Sequence, residues 1–389
     1  MMKIVSAELI KIRMPLVVPY VGAGGSRSSV DRTLVRLRTE DGLQGLGETV
    51  GSASTFGFLT AICQALLGED GLDRTALRVR IAPPTLRDSE GRDGWMAVAG
   101  IEMALWDLAG KRYAAPVWEL LGGAVRRRVP VALCFGAASL PLGATREEAV
   151  AFIADDQNVA RLVDHVARFA RQDGCGTVKM KSLGVRRDWD VAVMAGLREA
   201  LGPAVELRLD PNAAMSLPEA LALCTALEPL RLEYYEDPTW GLEGMASLRR
   251  RLRTPLAGNM CVVEFNDLSS AVRLGALDVV LGDVFCWGGL SALGELAAIC
   301  RTFGLDLVIH SWFELGVATA ANLHLAAAIP HIKRAMDCTL PLHAGDIVTG
   351  GKPQIREGML SVPDAPGLGV SLDDGAVNRY AIERWEAML

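Results

Sequence analysis

Short apolar runs that each close on a polar, chemically capable residue recur along the second half of the chain. They are Thr177-Val178-Lys179-Met180-Lys181, Leu207-Arg208-Leu209-Asp210-Pro211-Asn212, Leu232-Glu233-Tyr234-Tyr235-Glu236-Asp237-Pro238, Pro255-Leu256-Ala257-Gly258-Asn259, Asp278-Val279-Val280-Leu281-Gly282-Asp283 and Asp306-Leu307-Val308-Ile309-His310. Asp210, Glu236, Asn259, Asp283 and His310 follow one another at steps of 26, 23, 24 and 27 residues. Such a step holds one strand, one helix and two loops, so the pattern predicts a βα repeat whose strand ends deliver functional groups to one face. Eight strands are predicted, over about 130–136, 177–182, 205–211, 232–238, 255–260, 279–285, 306–311 and 334–338, with helices such as 146–173 and 217–227 between them. Alternation of this kind implies a parallel sheet. Eight units fit a closed barrel better than an open sheet, because an open sheet gathers ligands at one switch point and not at successive strand ends.

The first third reads differently. Residues 3–12, 33–38 and 43–49 alternate as strands, the last two joined by the turn Glu40-Asp41-Gly42, while 15–29 is rich in Gly, Ser and Pro and reads as a loop. Helices are predicted over about 56–67 and 93–113, the second carrying Met96, Ala99, Met103, Trp106 and Ala109 on one face, and a short helix over 116–121. The predicted fold class is therefore α/β: a modified TIM (β/α)8-type barrel over 128–365, an N-terminal α+β capping domain over 1–127 with a lid loop at 15–30, and a C-terminal segment over 366–389, ending in an amphipathic helix, that packs back on the capping domain.

Composition narrows the partners. The 389 residues are 50% hydrophobic and 22% charged, with 40 Lys+Arg against 46 Asp+Glu. No basic stripe offers a surface for nucleic acid or an anionic membrane, and no apolar run reaches the length of a membrane helix. The eight cysteines form no C-x-x-C pair and several lie in apolar runs, as free thiols of a reducing compartment do, so a cytoplasmic location is predicted.

The strand ends carry the chemistry. Asp210, Glu236 and Asn259 are three oxygen donors on consecutive strands with no Cys or His among them, a set suited to Mg²⁺. Any one of them alone is a common helix cap or turn residue; three in phase are not. Two carboxylates balance the ion's charge, and a neutral third ligand keeps the site attractive to an anionic substrate. Lys179 and Lys181 lie on one face of the preceding strand, where two neighbouring cations lower each other's pKa and free one as a base while the other neutralises a carboxylate. Asp283 and His310 fall on neighbouring strands, and a carboxylate on one imidazole nitrogen leaves the other free for proton transfer. His165, His324, His331 and His343 have no such partner and read as structural. A metal flanked by a lysine base and a histidine base suits removal of a proton α to a carboxylate.

These residues resemble the enolase superfamily over nearly the whole chain. Gly45-Leu46-Gly47-Glu48-Thr49, Ala104-Leu105-Trp106-Asp107-Leu108-Ala109-Gly110-Lys111 and Pro116-Val117-Trp118-Glu119-Leu120-Leu121-Gly122-Gly123 resemble its capping domain. Lys179-Met180-Lys181, Asp210-Pro211-Asn212, Asn259-Met260, Asp283 and His310-Ser311 are similar to the glucarate dehydratase subgroup. The resemblance implies Mg²⁺-dependent dehydration of an acid sugar to a 2-keto-3-deoxy acid, with Lys181 and His310 as bases on opposite faces and His310 as the acid for the departing hydroxide. Asn212, Ser311, Phe135 and Thr339 would contact substrate, and Arg27 or Arg32 of the lid could meet a distal carboxylate. The resemblance also implies a homo-oligomer. Glucarate-specific members carry Asp-Thr-His at the eighth strand, where this chain has Asp337-Cys338-Thr339, and a histidine where it has Ser26. The same two bases would also serve a racemase or epimerase, and a non-catalytic metal- or metabolite-binding relative is the reading from another class.

Overall fold

The computed structural model describes residues 2–83, 89–137 and 145–389. Strands β1 (Ile4–Gly22), β2 (Gly25–Thr39) and β3 (Gln44–Val50) form an antiparallel meander. Helices Ala53–Leu66, Arg74–Ile81 and Ser89–Arg112 cover one face of it, burying Ile4, Leu9, Val35, Leu37, Leu59, Ile101 and Leu105 against one another. The stretch 15–29, predicted as a loop, is instead the outer half of a long hairpin. Tyr20 pairs with Arg27, Val21 with Ser26 and Gly22 with Gly25, and Gly25 turns the chain at a φ of 124°. The register shifts between Pro15, which still pairs with Ser29, and Tyr20, and Pro19 falls in the unpaired interval.

Eight short strands follow: β4 (Arg128–Phe135), β5 (Thr177–Lys181), β6 (Glu206–Asp210), β7 (Tyr234–Glu236), β8 (Leu256–Gly258), β9 (Val279–Gly282), β10 (Asp306–Ile309) and β11 (Met336–Cys338). Their ladders are all parallel and run β10-β9-β8-β7-β6-β5-β4-β11, so the sheet curls into a modified (β/α)8-type barrel whose seam lies between β10 and β11. Each of the seven connections contains helix, while β11 leads only into a short 3₁₀ turn at Leu340–Leu342. The helix predicted over 146–173 is two, Arg146–Ala154 and Gln157–Gln172. The break comes where the Asp155 carboxylate accepts the Gln157 N–H at 3.0 Å, a local bond that competes with helix continuation.

Past the barrel, β12 (Met359–Ser361) pairs antiparallel with the start of β4. The tail differs from its predicted amphipathic helix. Only Asp374–Tyr380 is helical, and β13 (Ala381–Met388) is a strand that pairs antiparallel with β1, Ala7 opposite Ala387 and Leu9 opposite Trp385. Pairing with an open sheet edge overrides the segment's own pattern. Among the described residues no helix is long and apolar enough to cross a membrane.

Buried carboxylates of the first unit are seated on backbone amides of the second. Glu102 accepts the N–H groups of Leu290 (2.8 Å) and Ser291 (3.0 Å) at the start of helix Leu290–Phe303, and Glu48 accepts those of Leu315 (2.7 Å) and Ala318 (2.9 Å) at the start of helix Gly316–Ala328. Helix N-termini favour negative charge, so both contacts fix the capping unit over the barrel mouth. Asp107 accepts from Leu46 N–H and Leu368 N–H and takes an ion pair from Lys111, holding β3 and the tail together.

The buried His324 makes the same junction sensitive to acid. Its Nδ1 accepts the Trp118 N–H at 3.3 Å, so Nε2 donates to Leu368 C=O at 3.1 Å and the ring is neutral. Burial lowers its pKa from 6.5 to about 4. The unfolded chain binds the extra proton between these values, so the contribution is fully present above pH 6.5 and is lost as pH falls toward 4, amounting to about 3 kcal/mol. Denaturation midpoints of the wild-type protein should fall across this window, and His324→Asn should flatten that limb. Parallel acid limbs in the two proteins would contradict the assignment.

Candidate active site

Alternation along the barrel strands places the chemistry. Tyr234, Ala257, Val279, Leu281 and Val308 form a separate apolar plug inside the barrel. Two residues beyond four of these, on the same inward face, stand Glu236, Asn259, Asp283 and His310. Lys181 lies opposite Asp210 across β5 and β6, and Lys179 opposite Cys134 across β5 and β4. All these side chains gather at the C-terminal end of the strands, where the hairpin of β1 and β2 and the helix Ser89–Arg112 cover a cleft of about 310 Å³.

The cleft floor is a compact set of alternating charges. Lys179 Nζ lies 2.5 Å from Glu236, 2.6 Å from Asp337 and 3.6 Å from Asp210, while Lys181 Nζ donates to Asp210. Burial works against the charge on Lys179, yet Asp337, Glu236 and Asp210 outweigh it and hold its pKa well above the ordinary lysine value. Mutual depression between the two lysines, predicted from their spacing, therefore does not govern Lys179, because three carboxylates surround it. Lys179 is a fixed cation among three carboxylates, whereas Lys181, on the same cleft wall, is paired with Asp210. Burial pushes the Asp210 carboxyl up, but Lys181 and Lys179 bring it below the usual range.

His310 Nδ1 lies 3.0 Å from Asp283 Oδ2, and the other Asp283 oxygen accepts the N–H groups of Phe285 (2.8 Å) and Cys286 (3.1 Å). A carboxylate so anchored keeps the imidazole proton on Nδ1 and leaves Nε2 free. Burial lowers the His310 pKa in spite of the Asp283 bond, so the ring rests neutral and able to accept a proton.

The predicted oxygen donors converge. Asn259 Nδ2 donates to Glu236 Oε1 at 3.2 Å, and Lys179 bridges Glu236 to Asp210. Asp237 fixes this corner by accepting the N–H groups of Asn259 (2.9 Å) and Met260 (3.2 Å). Burial, and after it the nearby Asp210, raise the Glu236 pKa well above a normal carboxyl, since two acidic side chains are held close together out of water. A divalent cation fits such a place. A second set, Glu236, His310 and Asp337, also brings ligand atoms within 4.8 Å of one another. In that set Asp337 is already shared by Lys179 and Arg208, and a bound His310 could not transfer protons. The all-oxygen set suits Mg²⁺ better.

Of the predicted substrate contacts, Asn212, Ser311, Thr339 and Arg27 line the cleft. Ser311 Oγ donates to Glu314 (2.6 Å) and lies 3.0 Å from Thr339 Oγ1. Phe135 does not line it. It sits opposite Met180 on the outward face of the ladder and packs edge-on against His165 and Phe169, while its neighbour Cys134 points inward. Arg32 is also elsewhere: it is buried, with Nε donating to Phe313 C=O at 3.0 Å. Tyr20, Arg92, Trp312, Phe313 and Asp337 line the cleft without having been predicted as contacts. Asp337 had a signal, since it precedes Thr339 by two on an inward face; Arg92, near the start of a capping helix, had none. Asn212 (φ 50°), Asp237 (φ 39°) and Phe313 (φ 65°) hold left-handed backbone at the strand ends, the strain that functional sites concentrate.

Comparison with known proteins places this geometry. Residues 161–376 match the model "Enolase C-terminal domain-like", and residues 4–122 match "Mandelate racemase / muconate lactonizing enzyme, N-terminal domain". The chain belongs to the enolase superfamily. Within the superfamily it is 34% identical to a Streptomyces coelicolor protein named "probable glucarate dehydratase", over 88% of this chain and 82% of that one. It is 28% identical to a chloromuconate cycloisomerase of Cupriavidus pinatubonensis, over 90% of each chain. Among solved structures, an enolase from Streptomyces coelicolor superposes with a TM-score of 0.89 at 39% identity, covering 98% of this chain and 97% of that one. An enolase from Pseudomonas fluorescens with bound magnesium, potassium and tartrate superposes with a TM-score of 0.87 at 30% identity, covering 97% and 92%. Superfamily relatives thus include both a lyase by name and a cycloisomerase.

Proposed function

We propose that the chain dehydrates an acid sugar, removing the proton α to the carboxylate and the β-hydroxyl to leave a 2-keto-3-deoxy acid. The observation that carries this reading is a neutral, carboxylate-anchored imidazole, His310, sharing one cleft with Lys181 above the fixed cation Lys179. The name of the Streptomyces coelicolor relative at 34% identity supports the same reaction class.

Substrate would bind with its carboxylate toward Lys179 and Lys181. His310 Nε2 takes the α-proton, and the C–H electron pair becomes the double bond of an enediolate. Lys179 offsets the charge that develops on the enediolate oxygens. When that pair returns, the C–O bond to the β-hydroxyl breaks. The imidazolium of His310 gives its proton to the departing oxygen, water leaves, and the enol tautomerises to the ketone. Lys181 serves the opposite face of the α-carbon, since β5 and β10 lie across the barrel from each other. Asp210, Glu236 and Asn259 would hold magnesium, which when bound supplies Lewis-acid stabilisation of the enediolate.

Metal removal tests the ligand set. Protein stripped with EDTA should form no keto acid from an otherwise active substrate, and added Mg²⁺ should restore it. Glu236→Gln should not be restored at the same Mg²⁺ concentration. Full turnover by stripped protein would contradict the proposal.

A further inference from the structure

β13 is the outermost strand of the capping sheet, whose order is β13-β1-β2-β3, and among the described residues no strand pairs with its far side. Leu389 N–H donates to Val5 C=O at 2.9 Å. In an antiparallel ladder, residues that exchange hydrogen bonds with the neighbouring strand alternate with residues that face away from it. Glu383, Trp385 and Ala387 therefore turn their backbone groups to β1. Ile382, Arg384, Glu386 and Met388 turn theirs outward, a row of donors and acceptors open to a further strand. Ile382 (47% exposed) and Met388 (73%) add exposed apolar side chains at the two ends of that row.

The charges on this edge select its partner. Charged side chains commonly guard a free edge, and they do so when two copies would repel. Here the signs alternate, so repulsion depends on register. A two-fold antiparallel pairing of β13 with a second copy brings outward-facing residues together when it is centred on Arg384, Trp385 or Glu386. Centring on Arg384 sets that residue against the partner's Arg384, and centring on Glu386 sets two carboxylates together. Centring on Trp385 sets Arg384 against the partner's Glu386 twice over, and Ile382 against the partner's Met388 at both ends. Registers displaced further shorten the ladder and make no opposite-charge pair. The chain's own contacts also leave Glu386 in need of a cation. It lies opposite Glu8 in the ladder, a like-charge pair. Arg36 (2.8 Å) and Arg384 (3.0 Å) both close on Glu8, and among the described residues no cation pairs with Glu386.

We propose that the outer edge of β13 is an interface between two copies of this chain, paired antiparallel about a two-fold axis at Trp385, so that the two capping sheets join into one. The partner is a second copy because the edge is complementary to itself: one register satisfies its backbone, its charges and its apolar ends together. Sedimentation equilibrium on the full chain tests this with a charge swap. Wild-type protein should associate in a step that doubles its mass. Arg384→Glu and Glu386→Arg each turn both opposite-charge pairs into like-charge pairs and should weaken that step by about 10- to 100-fold. The double variant R384E/E386R restores opposite charges across the axis and should associate within about threefold of wild type. Glu386→Arg leaves the Arg384–Glu8 pair in place, so its melting temperature should match wild type and its loss of association cannot be put down to misfolding. Wild-type protein that stays monomeric would overturn the proposal. So would single variants that associate as tightly as wild type, or a folded double variant that remains dissociated.

Discussion

Turnover falls by roughly 10²- to 10⁴-fold in His310→Asn, the range expected when a positioned proton-transfer group is removed. His310→Asn keeps a side chain able to donate to Asp283 and removes the free Nε2, so folding and substrate affinity should change little. Lys181→Met should lose as much, but for the other face of the α-carbon. In D₂O each variant should still exchange the α-proton of one epimer and fail with the other, and the two variants should fail with opposite epimers. Steady-state rates together with proton exchange on an epimeric pair check this. Both variants failing with the same epimer would show that Lys181 and His310 do not stand on opposite faces.

Arg208→Met should destabilise the protein by about 3–5 kcal/mol, the cost of stripping one partner from a buried charge network. Arg208 is fully buried in the barrel. Its Nε donates to Glu233 at 2.6 Å, Nη1 to Asp337 at 3.0 Å and Nη2 to Ala335 C=O at 2.9 Å. Glu233 in turn holds Arg334, and Asp337 holds Lys179, so one line of alternating charges runs from the closed end of the barrel to the cleft. Without Arg208, Ala335 loses its donor and Asp337 keeps only Lys179, drawing that cation away from Glu236 and Asp210. The loss is large against the 5–15 kcal/mol typical of folded domains. Arg249→Gln is the control, since the half-exposed pair of Arg249 with Asp278 should be worth less than about 1 kcal/mol. Urea unfolding of the two variants decides the matter. Equal losses would mean that the buried line of charge contributes no more than a surface pair.

The period of the barrel was legible because each strand is apolar on its outward face and ends on a polar residue, a pattern that depends only on alternation. What lay hidden was the inside. Arg208 reads as an ordinary polar position of an amphipathic strand, and only the closed barrel shows that its face is buried and needs Asp337 and Glu233. Phe135 was misplaced for the same reason: its register opposite Met180, which sends it outward, is a property of strand pairing. The hairpin of β1 and β2 was obscured by Gly, Ser and Pro, which mark loops unless a partner strand pairs with them. The last strand, β13, exists because β1 offers a free edge. Arg92 reaches the cleft only through the way the capping helix docks on the barrel, a placement anchored by Glu102 and invisible in any local pattern.

One measurement tests the central claim most directly. The protein is incubated with Mg²⁺ and a panel of acid sugars in D₂O and followed by proton NMR. Dehydration predicts a new deoxy-methylene signal, deuterated at the carbon that lost the hydroxyl, together with a 2-keto acid. Exchange of the α-proton with no methylene signal and no keto product, for every acid that exchanges, would contradict it and make the chain an epimerase built on the same two bases.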